Sequence, residues 1–355
     1  MKHLSFALLH SLGFTHKKLR DITEDVEQFY DRLDIKILLE AGFQTDKAKS
    51  IVDKNTPQFV ERVERTLREL GVNVVHIDDP EYPTLLKILP DAPTILYVRG
   101  ILPANDALIS VVGSRKHSQY AVSSLEKILP DLIRAGYGII SGGAYGIDSV
   151  AHELALKNKG YTAAVFGAGI DVYYPPSNRA LFDQIIQNGG ALISQFPIGT
   201  FAEPFNFPIR NAVVAGMSRG TLIAEAGEDS GTLITARLAL EANHDVFVIP
   251  ADINREGARG SNMLIRDGLG KLITSAEDIL SEYQIVDKQM SMLSTRPDFD
   301  DPVCAALYEI LCMDSFGIDT LTEKLGRDTT TIINALALME IEGHVTSSGG
   351  VYRII

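Results

Sequence analysis

From about residue 72 onward, short runs that are apolar at every position alternate with stretches that are apolar only every third or fourth position. The runs are ALISVVG (107–113), YGIISGG (137–143), YTAAVFGAG (161–169), ALISQF (191–196), GTLIAEA (220–226) and DVFVIPA (245–251). A strand buried on both faces reads as a continuous apolar run, whereas SSLEKILPDLIRA and SGTLITARLALEAN carry the one-sided spacing of covering helices. The alternation predicts an α/β fold: a Rossmann-like, doubly wound, mostly parallel sheet with helices packed over it. NVVHI (73–77) and TILYVRG (94–100) are two further candidate strands, with irregular chain between them marked by Tyr82-Pro83 and Pro93.

The pattern changes at both ends. Residues 1–71 are helical and contain an internal likeness, LLHSLGFTHKKLRDI (8–22) and LLEAGFQTDKAKSI (38–51). Each runs Leu-Leu, Gly-Phe, then two basic residues around one position and an isoleucine, the layout of paired helix–hairpin–helix (SAM-like) units turning at Gly13 and Gly42. Such hairpins serve either DNA phosphates or packing. Residues 72–285 form the α/β domain and 286–300 lose all periodicity, as a linker does. Residues 301–355 give three helical segments and two strand-like pieces around Gly349-Gly350, the order of a winged helix.

Composition narrows the function. The chain of 355 residues carries a net charge of −13, which argues against indiscriminate attraction to nucleic acid or an anionic membrane but leaves room for a local basic cleft. Cys304 and Cys312, its only cysteines, lie too far apart on one expected helix to bridge, and no metal-type cluster is present. The N-terminus lacks the features of a signal peptide and no run of about 18 apolar residues occurs, so a cytoplasmic protein without a membrane span is expected.

Four turns that follow predicted strands share one chemistry. They are Gly113-Ser114-Arg115-Lys116, Gly142-Gly143-Ala144-Tyr145-Gly146, Gly167-Ala168-Gly169 and the GEDSGTLIT stretch in which Ser230-Gly231-Thr232 opens a helix. Glycines admit close approach of backbone to ligand, and helix starts present N–H groups to anions. None is a complete dinucleotide or P-loop fingerprint, so no NAD or ATP cofactor is expected. Between them, Phe205, Phe207, Arg210 and Asn211 combine rings with a cation, which suits unpaired bases and their phosphates.

A hydrolytic reading of SGGAYGIDSVAHELAL (141–156) fails on order, because Ser141 precedes the glycines instead of standing between them. Asp148 and His152 share a helix face and are read as supports for the turn. Glu225 is either a partner of Arg115 or Arg210, or the acid of an N-glycosidic hydrolase. The second option keeps open a nucleotide phosphoribohydrolase-like enzyme, and a nucleotide-ligand sensor fits the same turns.

Several motifs in order resemble the DNA-processing protein A (DprA, or Smf) family: Tyr82-Pro83, VGSR (112–115) with Tyr120, SGGAYGIDSVAH (141–152), YPPSN (174–178), FPIRN (207–211), EAGEDSGTLIT (225–235) and GSNMLIRDG (260–268). The resemblance implies a dimeric, non-catalytic single-stranded-DNA-binding protein that loads the RecA recombinase in natural transformation. Carried onto this chain, Arg115 and Arg210 would meet phosphates, with Asn211 and Phe207 beside them. Gly113, Ser114, Gly143, Gly146, Ser230, Gly231 and Thr232 would supply backbone or hydroxyl contacts. Ile209 and Ala212 stand where members often carry basic residues, Gln195 where Glu is usual, and Ala251 where Gly is usual.

Charge is unevenly shared. Residues 107–283 hold 14 Lys/Arg against 18 Asp/Glu, and residues 296–355 hold four against ten. TTTIINALALMEIE, the segment in the place of a recognition helix, has neither Lys nor Arg. A helix that enters a DNA groove normally brings cations to the phosphates, so the C-terminal module is expected to contact protein.

Overall fold

The computed structural model describes residues 2–22, 25–103, 105–283, 299, 301–311, 315–342, 344–348 and 351–354. The chain divides into two compact units, Met1–Leu280 and Ser281–Ile355.

The first unit is built on a nine-stranded sheet of β1 Val72–His76, β2 Ile95–Gly100, β3 Leu108–Val112, β4 Gly138–Ser141, β5 Thr162–Phe166, β6 Ala191–Ser194, β7 Gly220–Ile223, β8 Asp245–Val248 and β9 Lys271–Leu272. Its spatial order is β1-β2-β6-β5-β4-β3-β7-β8-β9. All pairings from β6 through β9 are parallel, as expected of apolar runs spaced by covering helices. The two early candidates join the same sheet in the opposite sense: β2 lies antiparallel to β6, with Tyr97 opposite Ser194, and β1 antiparallel to β2. β9 is two residues long and leaves no run for the pattern to register.

Side chains along a strand point alternately to opposite faces, and two cores follow. Ala163, Val165 and Ile193 join a cluster with Val213, Val214 and Ala236. Ala164, Phe166 and Leu192 instead meet Phe182 and the N-terminal helices, through Leu9, Phe14, Leu38 and Leu67. Residues 1–71 therefore share one continuous core with the sheet.

The two hairpins clasp each other. Lys18 Nζ donates to Ala41 O at 2.6 Å and sits 4.2 Å from the centre of the Phe43 ring. A Cβ placed on Gly13 would lie 3.0 Å from Lys47 Nζ. One lysine of each repeat thus reaches the glycine turn of the other, and Lys18 is committed to packing.

The second unit has helices Pro302–Leu311, Ile318–Leu325 and Thr329–Ile341. They stand with a three-stranded antiparallel sheet of β10 Phe316–Gly317, β11 Val345–Ser348 and β12 Val351–Ile354, in the order β10-β12-β11. Cys304, Leu307, Leu321, Ile332, Leu336 and Met339 form its own core. Cys312, Gly349-Gly350 and the expected linker (except residue 299) lie outside the described residues. Among the described residues no helix is long and apolar enough to cross a membrane.

Candidate nucleic-acid interface

The chain leaves β3 toward β4, β5 and β6 on one side, and β7, β8 and β9 lie on the other. The connections that leave β3 and β7 therefore run to opposite sides, and ligands of such sheets bind where strand order reverses. A cleft of about 1100 Å3 opens there, walled by residues 112–116, Ala144, Asp148, Tyr174, parts of 202–211, residues 227–232 and Gly257.

The wall after β3 is tightly fitted. A Cβ on Gly113 would meet Ile147 at 2.6 Å, and Ser114 N–H donates to Glu225 O at 2.8 Å, joining the turns after β3 and β7. Arg115 and Lys116 remain exposed, with the Arg115 guanidinium 5.4 Å from the centre of the Phe207 ring.

The turn after β4 plays a different part from the one its glycines imply. Gly143, at φ +66°, is buried and a Cβ there would meet Phe182 at 2.8 Å. Gly146, at φ +84°, passes so close to the preceding turn that a Cβ would lie 2.7 Å from Arg115 Cα. Neither lines the cleft; Ala144 does. These glycines allow two turns to interlock, and their neighbour faces the opening.

Around that turn the apparent hydrolytic residues are otherwise engaged. Ser141 Oγ donates to Val111 O at 2.7 Å. Asp148 Oδ2 accepts from Ala144 N–H at 3.2 Å, and burial raises its carboxyl above the ordinary range despite the nearby Arg210. No Asp148–His152 bond forms. His152 is fully buried, with Nδ1 2.7 Å from Thr162 Oγ1, and burial lowers it to about 3. Asn178 of YPPSN braces the turn from outside, donating to Gly143 O at 3.0 Å and Ser149 Oγ at 2.8 Å.

Arg210 corrects a simple expectation of an arginine held out to phosphate. It borders the cleft but is only 4% exposed. Its Nη1 donates to Gly142 O and to Val165 O, and Nε donates to Asn211 Oδ1 at 2.9 Å. A Cβ on Gly142 would fall 2.5 Å from the guanidinium, so that glycine is the seat of a buried cation. Burial lowers the arginine to about 10, which leaves it charged at neutral pH. Phe207 packs over Gly167, with the Arg210 guanidinium 5.7 Å and the Tyr174 ring 5.7 Å from its centre.

On the far wall Ser230 and Thr232 line the cleft around exposed Gly231. Ser230 Oγ donates to Thr232 Oγ1 at 3.0 Å and accepts from Thr232 N–H at 3.2 Å, so it holds the turn that leads into helix Thr232–Glu241. Glu225 pairs with neither arginine. It is buried, and its Oε2 accepts from Ser118 N–H at 2.7 Å.

The cleft thus gathers Gly113, Ser114, Arg115, Phe207, Arg210, Asn211, Ser230, Gly231 and Thr232. Sequence reasoning overlooked Tyr174 as a wall of the cleft, since nothing in a Pro-Pro loop marks which side its tyrosine faces; the ring is 41% exposed. Of the phenylalanines, Phe205 at 66% and Phe201 at 74% are the open ones.

Residues 73–284 match the family model described as DNA recombination-mediator protein A. The chain belongs to this family. Protein Smf of Synechocystis is 41% identical over an alignment that covers 69% of this chain and 61% of that protein. Among solved structures, DNA processing protein A (DprA) of Streptococcus pneumoniae superposes with a TM-score of 0.68 at 32% identity, covering 79% of this chain and 98% of that one. DNA processing protein A of Helicobacter pylori, whose structure is described by its single-stranded DNA binding mode, gives a TM-score of 0.53 at 26% identity over 60% of this chain and 96% of that one. The segment shared with the recombination-mediator family contains all four glycine turns and the cleft.

Proposed function

We propose that this chain binds single-stranded DNA in the cleft and, without bond-making chemistry of its own, delivers the strand to a RecA-type recombinase in recombination and natural transformation. One observation carries the reading. A single cleft brings together two exposed cations, Arg115 and Lys116, and two rings, Phe207 and Tyr174, while Ser141, His152 and Glu225 are all engaged in structural hydrogen bonds. Rings stack on bases of any sequence and cations follow the backbone, which is the makeup of a single-strand binder. The H. pylori relative and the family description agree with it.

A homodimer is part of the proposal. Beside the edge strand β9, Ile253 (84% exposed), Leu269 (47%) and Leu272 (46%) leave an apolar surface that a second copy would cover. The C-terminal unit is proposed to engage protein, because its helix Thr329–Ile341 exposes Ile333, Leu338 and Ile341 and carries no cation.

Fluorescence anisotropy with dT oligomers of increasing length tests the ligand class. With about three phosphates neutralised, log K falls against log salt with a slope near −2, from roughly −0.7 per contact on single strands. Indifference to salt, or preference for a mononucleotide, contradicts the proposal. Base release from a nucleoside monophosphate that disappears in Glu225→Gln establishes the phosphoribohydrolase reading in its place.

A further inference from the structure

Beyond the cleft wall, the buried Glu225 begins a chain of contacts that ends on an exposed ring. Its carboxylate holds Ser118 N–H, and Ser118 Oγ in turn accepts from Ala121 N–H at 3.2 Å and from Arg255 Nη1 at 2.7 Å. The Arg255 guanidinium then stands 4.9 Å from the centre of the Tyr120 ring. Tyr120 is 42% exposed, yet its hydroxyl is tethered to Pro250 O at 2.8 Å. An exposed ring held at its tip and partnered by an anchored arginine has lost the freedom of an ordinary surface tyrosine. It also walls a separate cavity of about 300 Å3, together with Ser124, Lys127, Pro250 and Thr274.

This cavity shares no lining residue with the cleft, but two chain segments that run beside it lead to the cleft rim. Ser118 follows Lys116 of the cleft rim by two positions, and Gly257, two positions after Arg255, lines the cleft itself. The Tyr120 ring, the Ser123, Ser124 and Thr274 hydroxyls and the exposed Lys127 line the cavity, with the Arg255 guanidinium against the ring outside it, a set that takes a stacked base and its flanking phosphate.

We propose that the Tyr120 cavity is a second nucleotide subsite, which receives a base of the same strand after it passes over the Arg115-Lys116 rim. The proposal rests on the cleft binding single-stranded DNA. It gives Glu225 a positioning role: its carboxylate fixes the helix start on which Ser118, Arg255 and Tyr120 are assembled.

The test is anisotropy titration of the full chain with a ladder of dT oligomers, comparing wild type with Tyr120→Ala, Tyr120→Phe and Lys127→Ala. Short oligomers that fill only the cleft bind wild type and Tyr120→Ala equally. Once the oligomer is long enough to reach the cavity, wild type gains affinity and Tyr120→Ala lags by about five-fold or more, the lower end of what one stacked base contributes. Tyr120→Phe keeps most of that gain, and Lys127→Ala loses a smaller part of it. Equal weakening of Tyr120→Ala at every length means that the ring merely supports the cleft, and overturns the subsite. So does an affinity unchanged at every length. If wild type binds no dT oligomer, the cleft reading itself falls and the subsite with it, an outcome distinct from a ladder without a second step.

Discussion

The sheet edge and the C-terminal unit of this molecule differ in how charge is placed on them. The sheet edge belongs to an acidic domain, yet Arg115 and Lys116 are exposed at the mouth of one cleft and Arg210 lies beneath it. The C-terminal unit offers a helix, Thr329–Ile341, whose exposed residues include Ile333, Leu338 and Ile341 and no cation. Net charge does not separate them, since both segments are negative. What separates them is whether the few cations are focused on a concave surface, where low-dielectric walls strengthen their field.

The largest effect is expected from unlocking the two interlocked turns. Gly146→Val places a branched side chain at φ +84° against the backbone of Arg115, and is expected to weaken dT binding by more than about 100-fold while lowering the melting temperature. The two arginines come next. Arg115→Ala is expected to reduce affinity about ten-fold or more and to flatten the salt slope by about 0.7, with no change in melting. Arg210→Ala leaves the Gly142 and Val165 carbonyls without their donor and costs about 1–3 kcal/mol of stability. Parallel melting and binding curves separate the two, and an Arg115→Ala protein that melts early would erase the distinction.

Acid gives a smaller effect with a defined sign. His152 in the folded chain is lowered to about 3 and His16 to about 4, both by burial, from an ordinary value of 6.5. The unfolded state therefore binds more protons between those values. Stability present above pH 6.5 is lost as pH falls toward 3, by at most roughly 1.4 kcal/mol per pH unit for each histidine. Denaturant titrations at pH 7 and pH 5 should show it, and His152→Gln should lessen the difference. The smallest effect is expected in the C-terminal unit. Lys324→Glu with Arg327→Glu in the full chain should leave dT affinity and its salt slope as they are; a clear loss would give the C-terminal unit a share in DNA binding.

Much of the fold was legible because each central strand is a continuous apolar run, and the four turns were legible because glycine is scarce within strands and helices. The direction of β1 and β2 was not, since apolar alternation carries no sign for parallel or antiparallel pairing. The membership of Arg210 in the site was legible, but its burial was not. An arginine at a helix start looks the same whether it faces solvent or a pair of carbonyls thirty or more positions away in sequence. The partner of Glu225 was hidden for a similar reason, because Ser118 offers a backbone N–H that no side-chain pattern advertises. Tyr174 was missed since it enters the cleft from a loop distant in sequence from the other ring.

The seat of Arg210 has one more consequence. In a trans peptide the carbonyl and the following N–H point in opposite directions. By holding the Gly142 oxygen, the guanidinium also sets the heading of the Gly143 N–H. A cation that is almost wholly buried thereby acts as a compass for a backbone dipole. Replacing it would disorient that dipole as well as remove a charge, and a change of salt could not restore the lost direction.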